Sequence, residues 1–318
     1  MIKVEAVSKS YGDTLAVKKV SFEVSEGENL ILLGTSGCGK TTTLKMINRL
    51  ITPDAGNIFV NGKDISKEKP ELLRREIGYV LQNTGLFPHY TVAENIAIVP
   101  KLLGWEKEKI KLRSNEIIEK LHLSEKYLSA YPGELSGGQQ QRVGLARALV
   151  TDPSVLLMDE PFGALDNVTR TSIRKEFKGL EELKRKTMVM VTHDIHEAFE
   201  LADRICLMNK GGIVQIGTPK DLLYKPVNDF AKNFLASEKL SLEFKIISLD
   251  DIWDLIPSSS ESVNNISLSS TASVWDAMDK LQSAPALGVK NSSGEQKNIT
   301  FSELTEAFKR YQKKQYHE

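Results

Sequence analysis

Residues 34 to 41 read Gly34-Thr35-Ser36-Gly37-Cys38-Gly39-Lys40-Thr41, a complete GxxxxGK[ST] phosphate loop. It follows the apolar run Leu30-Ile31-Leu32-Leu33 and leads into Thr41-Thr42-Thr43-Leu44-Lys45-Met46-Ile47, which reads as a helix. A strand feeding a glycine loop that opens a helix is the setting the motif requires, and it commits the chain to an α/β core. The glycines let backbone N–H groups approach phosphate oxygens, the helix N-terminus adds partial positive charge, and Lys40 adds a full one. The Thr41 hydroxyl is placed to meet a magnesium ion. The loop by itself implies a nucleotide and leaves the reaction open.

With 318 residues and 41% hydrophobic content, the chain has room for one large packed domain and one small one. Lys plus Arg equals Asp plus Glu, 42 each, so no overall field draws it to nucleic acid or to an anionic membrane. Cys38 and Cys206 are the two cysteines; far apart and without CxxC spacing, they suit a reducing compartment and provide neither a zinc site nor a disulfide framework. No apolar run approaches the ~18 residues that span a bilayer, and the acidic Glu5 in the opening segment argues against a signal sequence. The expectation is a cytoplasmic protein that reaches a membrane through partners.

Apolar residues alternate at Ile2, Val4 and Ala6 and again at Val20, Phe22 and Val24, predicting half-buried antiparallel strands. Asn61-Gly62 after Ile58-Phe59-Val60 signals a hairpin. Continuous runs at 77–81, 155–158 and 188–192 read as buried parallel strands. Between the first two lies a mostly helical insert, roughly residues 90 to 150, with Ile110, Ile117, Ile118 and Leu121 at helical spacing and a break at Tyr131-Pro132-Gly133. The texture then predicts a domain over 1–236, a linker over 237–261 and a small unit over 262–318, with eight serines between 256 and 274. In that unit Ser273 and Asp276 form a capping box ahead of Val274, Met278 and Leu281, and 286–289 reads as a strand. Ser302 is expected to cap a last helix with Leu304, Ala307, Phe308 and Tyr311 on one face.

The run Val155-Leu156-Leu157-Met158 ends in Asp159-Glu160. Adjacent carboxylates at a strand end point to different faces, so Asp159 can serve magnesium through its water shell while Glu160 polarises an attacking water. Leu135-Ser136-Gly137-Gly138-Gln139-Gln140-Gln141-Arg142 is a second glycine pair opening a helix, hence a second candidate phosphate contact.

With these motifs in order, residues 2 to 235 resemble the nucleotide-binding subunits of ABC transporters. The resemblance implies a P-loop ABC-type domain with a parallel core sheet, an antiparallel β-subdomain and a helical subdomain. It implies ATP and Mg2+ as ligands and ATP hydrolysis as the activity. Tyr11 takes the place of the aromatic that stacks on adenine; Gly34, Thr35, Ser36, Gly37, Cys38, Gly39, Lys40, Thr41 and Thr42 take the phosphate site. Ser136, Gly137, Gly138 and Gln139 match the signature segment and Asp166 the D-loop, all as nucleotide contacts. Glu160, His193 and Gln82 take the catalytic places, and Thr41, Gln82 and Asp159 the metal places. The family also implies two copies enclosing two ATP molecules, each signature segment completing the other's site, together with transmembrane permease subunits and an extracytoplasmic substrate-binding protein or domain.

The segments Gln82-Asn83-Thr84-Gly85-Leu86-Phe87-Pro88-His89, 95–100 and Leu103-Gly104-Trp105 resemble the quaternary-amine or osmoprotectant importers, whose cargoes include glycine betaine, choline and carnitine. Importers of another small solute and non-transport ABC ATPases stay open as alternatives. The C-terminal unit resembles a single CBS motif, α+β in character, expected to pair with its copy on a second subunit either as a regulatory sensor or as a dimerisation piece. Together these place the chain peripherally at the cytoplasmic face of a cell membrane.

Overall fold

The computed structural model describes all residues except 83, 164, 181, 182, 184, 258–266 and 318, with the side chains of 167, 168, 316 and 317 also outside the description. Motif residues Asn83 and Ala164 and part of the serine-rich stretch therefore lie outside the described residues. The chain forms two compact units, Met1–Ile216 and Gly217–Glu318.

The first unit opens with two long strands, β1 (Ile2–Tyr11) and β2 (Thr14–Val24), paired antiparallel with Val4 opposite Phe22. The predicted alternation fails at one place. Ala6 adopts φ 48 and is exposed, and the register shift there turns Val7 inward against Val20. An irregularity of this kind inserts a residue and reverses which side chains face the core. β4 (Ala55–Val60) pairs with the other edge of β1, and β5 (Lys63–Asp64) closes the sheet in the order β2-β1-β4-β5. Asn61 and Gly62 take φ 54 and 77 in the two-residue turn between β4 and β5, which is what a primed hairpin turn needs.

The second sheet positions the site. Between β1–β2 and β4 the chain forms β3 (Asn29–Gly34) and α1 (Lys40–Ile47). After β5 come α2 (Pro70–Glu76) and β6 (Ile77–Val80), then α3 (Val92–Leu102), α4 (Lys107–Lys120) and α5 (Gly137–Leu149). The core returns with β7 (Val155–Asp159), α6 (Asn167–Gly179), β8 (Thr187–Thr192), α7 (Ile195–Leu201), β9 (Arg204–Asn209) and β10 (Gly212–Gly217). The sheet order is β10-β9-β3-β8-β7-β6, and β9, β3, β8, β7 and β6 run parallel. Leu33 sits beside Thr192 and Asp159 beside Val191, so the C-terminal ends of β3, β8 and β7 lie side by side. Loops at such ends converge on one crevice. Within the helical insert, Ile110, Ile117, Ile118 and Leu121 are buried at the spacing read from sequence.

The second unit contains α8 (Pro219–Tyr224), α9 (Asp229–Leu235), α10 (Lys239–Ile246), β11 (Ser267–Ser269), α11 (Val274–Leu281), β12 (Leu287–Lys290), β13 (Gln296–Ile299) and α12 (Phe301–His317). Its strands order β11-β12-β13. By compactness the two units divide at 216–217, and within the expected linker Lys239–Ile246 form α10. Ile247, Leu249, Ile252 and Ile256 are buried with Val274, Leu287, Val289 and Phe308 in one apolar core. Apolar side chains at that density are driven into a core whatever the local serine content. The Ser273–Asp276 capping box is present. The last helix is capped two residues earlier than expected. Thr300, not Ser302, exchanges hydrogen bonds with Glu303, because only Thr300 stands three residues before a carboxylate.

Candidate functional site

The phosphate loop bridges β3 and α1, and two of its glycines are dictated by contact as well as conformation. Gly34 has φ 154, and a Cβ there would lie 2.1 Å from the Met208 carbonyl oxygen; Gly39 has φ 99, and its Cβ would lie 2.5 Å from the Ala16 carbonyl oxygen. Lys40 is 6% exposed and its Nζ donates to the carbonyls of Gly34 at 2.8 Å and Thr35 at 2.9 Å. The ammonium is thus held inside the curl of the loop it serves. Cys38 is buried below the loop with its Sγ 3.7 Å from Lys40 Nζ. Thr35 and Ser36 lie on the loop, Gly37 has open space around its α-carbon, and Thr42 is in the first turn of α1.

At the ends of β3 and β7, the Thr41 hydroxyl donates to Asp159 Oδ1 at 2.8 Å. Burial holds the Asp159 carboxyl above the ordinary carboxylate value, opposed by the Thr41 hydroxyl and by Lys45 and Lys40. A hydroxyl and a carboxylate touching beside a phosphate loop form the oxygen-only donor set that suits magnesium, which keeps much of its own water. The residues present therefore fit the ion.

One position further, Glu160 turns away. Its backbone takes φ 46, uncommon for a side-chain-bearing residue, and its N–H donates to the Val191 carbonyl at 2.9 Å. Gln82 Nε2 donates to Glu160 Oε2 at 2.8 Å, and His193 Nδ1 lies 3.2 Å from the same oxygen. Three residues read from separate motifs thus meet at one carboxylate oxygen. Strain at such a point is characteristic of functional sites.

Ser136 caps α5: its hydroxyl accepts from the Gln139 N–H at 3.3 Å, and its own N–H donates to Gln139 Oε1 at 2.8 Å. Gly137 is open around its α-carbon apart from Leu165, while a Cβ on Gly138 would press to 3.1 Å on both Ile173 and Thr169 of α6. Asp166 caps α6 by accepting from the Thr169 N–H. Tyr11, at the end of β1, is 50% exposed with Lys9 Nζ 5.9 Å from its ring centroid. The hydrogen bonds of Ser136 run to Gln139 and that from the Thr169 N–H runs to Asp166, each within its own helix cap.

Sequence reading missed the supports of this group. Thr192 Oγ1 donates to Glu197, which is 2% exposed, and Arg170 donates to the Leu165 carbonyl at 2.9 Å while lying 3.5 Å from Asp194. His193 is held between two anchored neighbours. An i,i+5 Thr–Glu spacing across a loop carries no period that would reveal it.

A parallel sheet with a phosphate loop at the end of β3 and a paired Asp-Glu at the end of β7 defines a P-loop nucleotide-binding domain. The ABC transporter family profile matches residues 17–163. The chain is 48% identical over 263 residues to the osmoprotectant import ATP-binding protein OsmV of Salmonella typhimurium, covering 81% of this chain and 69% of that one. It is 52% identical over 241 residues to the glycine betaine/carnitine/choline transport ATP-binding protein OpuCA of Bacillus subtilis, covering 76% of this chain and 63% of that one. The match thus spans less than two thirds of the Bacillus protein's length. In three dimensions it superposes with a TM-score of 0.62, at 34% identity, on the dimeric ATP-binding cassette MJ0796 in a post-hydrolysis state bound to ADP and Pi, covering 69% of this chain and 98% of that one. The chain belongs to the ATP-binding proteins of the ABC transporter family.

Proposed function

We propose that this chain hydrolyses ATP and that the hydrolysis drives a membrane importer of quaternary amines or related osmoprotectants. The observation that carries the hydrolytic reading is the meeting of Gln82 and His193 on Glu160, beside the Thr41–Asp159 pair. Lys40 and the loop amides bind the phosphates of ATP. Magnesium, held by Thr41 and Gln82 with Asp159 reaching it through water, would neutralise charge on the transferred phosphoryl group. Glu160 orients the attacking water and takes its proton. Gln82 holds the reactive carboxylate oxygen in place, and His193 contacts the γ-phosphate. Tyr11 stacks on adenine, and its exposure leaves a face free for that.

The signature residues Ser136, Gly137, Gly138 and Gln139, with Asp166, are proposed to complete the site of a second copy. Permease subunits are the proposed membrane partners, since no helix among the described residues is long and apolar enough to cross a bilayer. The cytoplasmic face of the membrane and an extracytoplasmic binding protein follow from the same reading. The cargo class rests on the likeness to OsmV and OpuCA, whose names state osmoprotectant and betaine, carnitine and choline transport. The C-terminal unit is proposed to be CBS-like and to pair with its copy on the second subunit.

Uptake of labelled betaine, choline and carnitine by cells carrying the whole transporter tests the reading. Uptake of one compound that disappears in Glu160→Gln is expected. No uptake of any would remove the cargo assignment while leaving hydrolysis to be judged separately.

A further inference from the structure

β6 ends at Val80, and the described residues from 81 to 91 belong to neither helix nor strand, so no ladder fixes where the Gln82 amide points. Two side chains take its place. Asn95, fully buried on α3, clasps the far end: its Oδ1 accepts from the Phe87 N–H at 2.8 Å, and its Nδ2 donates to the carbonyls of Phe87, Tyr90 and Thr91 at 3.1, 3.0 and 3.0 Å. Arg147 on α5 takes the near end. Its Nη1 donates to the Gly85 carbonyl at 2.7 Å and its Nη2 to the Thr84 carbonyl at 2.6 Å.

The receiving backbone is shaped for this grip. Thr84 and Gly85 both have φ 54, a consecutive left-handed pair that a β-branched residue rarely enters, and the pair offers two carbonyls to one planar guanidinium. Thr84 is 8% exposed, and burial lowers the proton affinity of Arg147, whose hydrogen bonds run to carbonyls instead of a carboxylate. Burying a cation on neutral acceptors is costly, and a fold needing only stability has cheaper apolar solutions at such a place. The helix that carries Arg147 begins at the Ser136 cap. Ser136 and Arg147 therefore sit on one stiff rod, roughly 16 Å apart at a helical rise of about 1.5 Å per residue.

We propose that Arg147 is a positioning residue: by gripping the Thr84 and Gly85 carbonyls it sets Gln82 against Glu160 and makes the place of Gln82 follow the helix that begins at Ser136. This rests on the hydrolytic reading above. The grip is specific to a fork, since a lysine ammonium at this position presents a point charge to one carbonyl at a time.

The test compares the full chain with Arg147→Lys, Gln82→Ala and the double variant, in steady-state Mg-ATP hydrolysis and in backbone hydrogen exchange. Arg147→Lys is expected to lower kcat by about tenfold or more with KM for ATP within about twofold. In the Gln82→Ala background the same substitution is expected to change kcat no further. Amides of 84–87 are expected to exchange faster while those of β3 and β7 hold their protection. An equal loss of kcat in both backgrounds, or unchanged exchange at 84–87, would overturn the proposal and leave Arg147 a support of the fold. If the wild type hydrolyses no ATP, the hydrolytic reading fails and the exchange comparison alone decides this one. Should Arg147→Lys not fold, Arg147→Gln is read by the same measurements.

Discussion

Gly34 marks where the nucleotide loop tolerates no side chain, since a Cβ would lie 2.1 Å from the Met208 backbone. Gly34→Ala is expected to lower unfolding free energy by more than about 2 kcal/mol in a denaturant titration, whereas Gly37→Ala, which meets open space, costs less. A second residue-scale expectation concerns Glu197. Burial, the largest influence, raises its carboxyl above the ordinary value of 4.5; Thr192 opposes that, Asp194 adds to it, and Arg174 and Arg170 oppose it. Its folded pKa therefore exceeds the unfolded one, and between the two the native state holds more protons. Stability then falls as pH rises from 4.5 through the folded value and levels off above it. Urea unfolding of wild type and Glu197→Gln across that window should show the wild type gaining on the variant as pH falls. A difference that is constant with pH would contradict this. Sequence made Lys40, Thr41, Asp159 and Glu160 legible because their chemistry is tied to fixed spacing. The supporting roles of Glu197, Arg170 and Arg147 escaped because their partners are loop carbonyls or residues brought near by the fold.

Elements divide the same way. Local signals were readable: the Asn61-Gly62 turn, the capping box of α11, and the buried stripe of α12 all lie where the sequence places them. What fails depends on neighbours. The bulge at Ala6 is set by pairing with β2, which no alternation within β1 announces. Residues 247–256 read as linker because their apolar side chains have no simple period, yet they fill the core of the second unit. The order β10-β9-β3-β8-β7-β6, which brings Gly34, Asp159 and Thr192 together, joins strands distant in sequence and is a product of packing. The cap of α12 offers a direct check. Thr300→Ala is expected to cost about 1 kcal/mol in the second unit and Ser302→Ala less than about 0.5, measured by thermal unfolding. The reverse order would restore Ser302 as the cap.

For the whole molecule, the site is proposed to be completed by a second copy, so nucleotide should control association. In light scattering, ATP is expected to strengthen the association of Glu160→Gln, and to lose that effect when Ser136 is also replaced by arginine, whatever pairing the C-terminal units supply without nucleotide. An association of Glu160→Gln that ATP does not strengthen would contradict a shared site. Uptake assays address cargo, but hydrolysis is the claim on which the rest stands. The most direct measurement is steady-state ATP turnover by the full chain and its Glu160→Gln form, with ATP affinity determined in parallel. The account predicts unchanged affinity and turnover reduced by about a hundredfold or more, as expected on losing a group that takes a proton from the attacking water. Turnover by Glu160→Gln at the wild-type rate would contradict it.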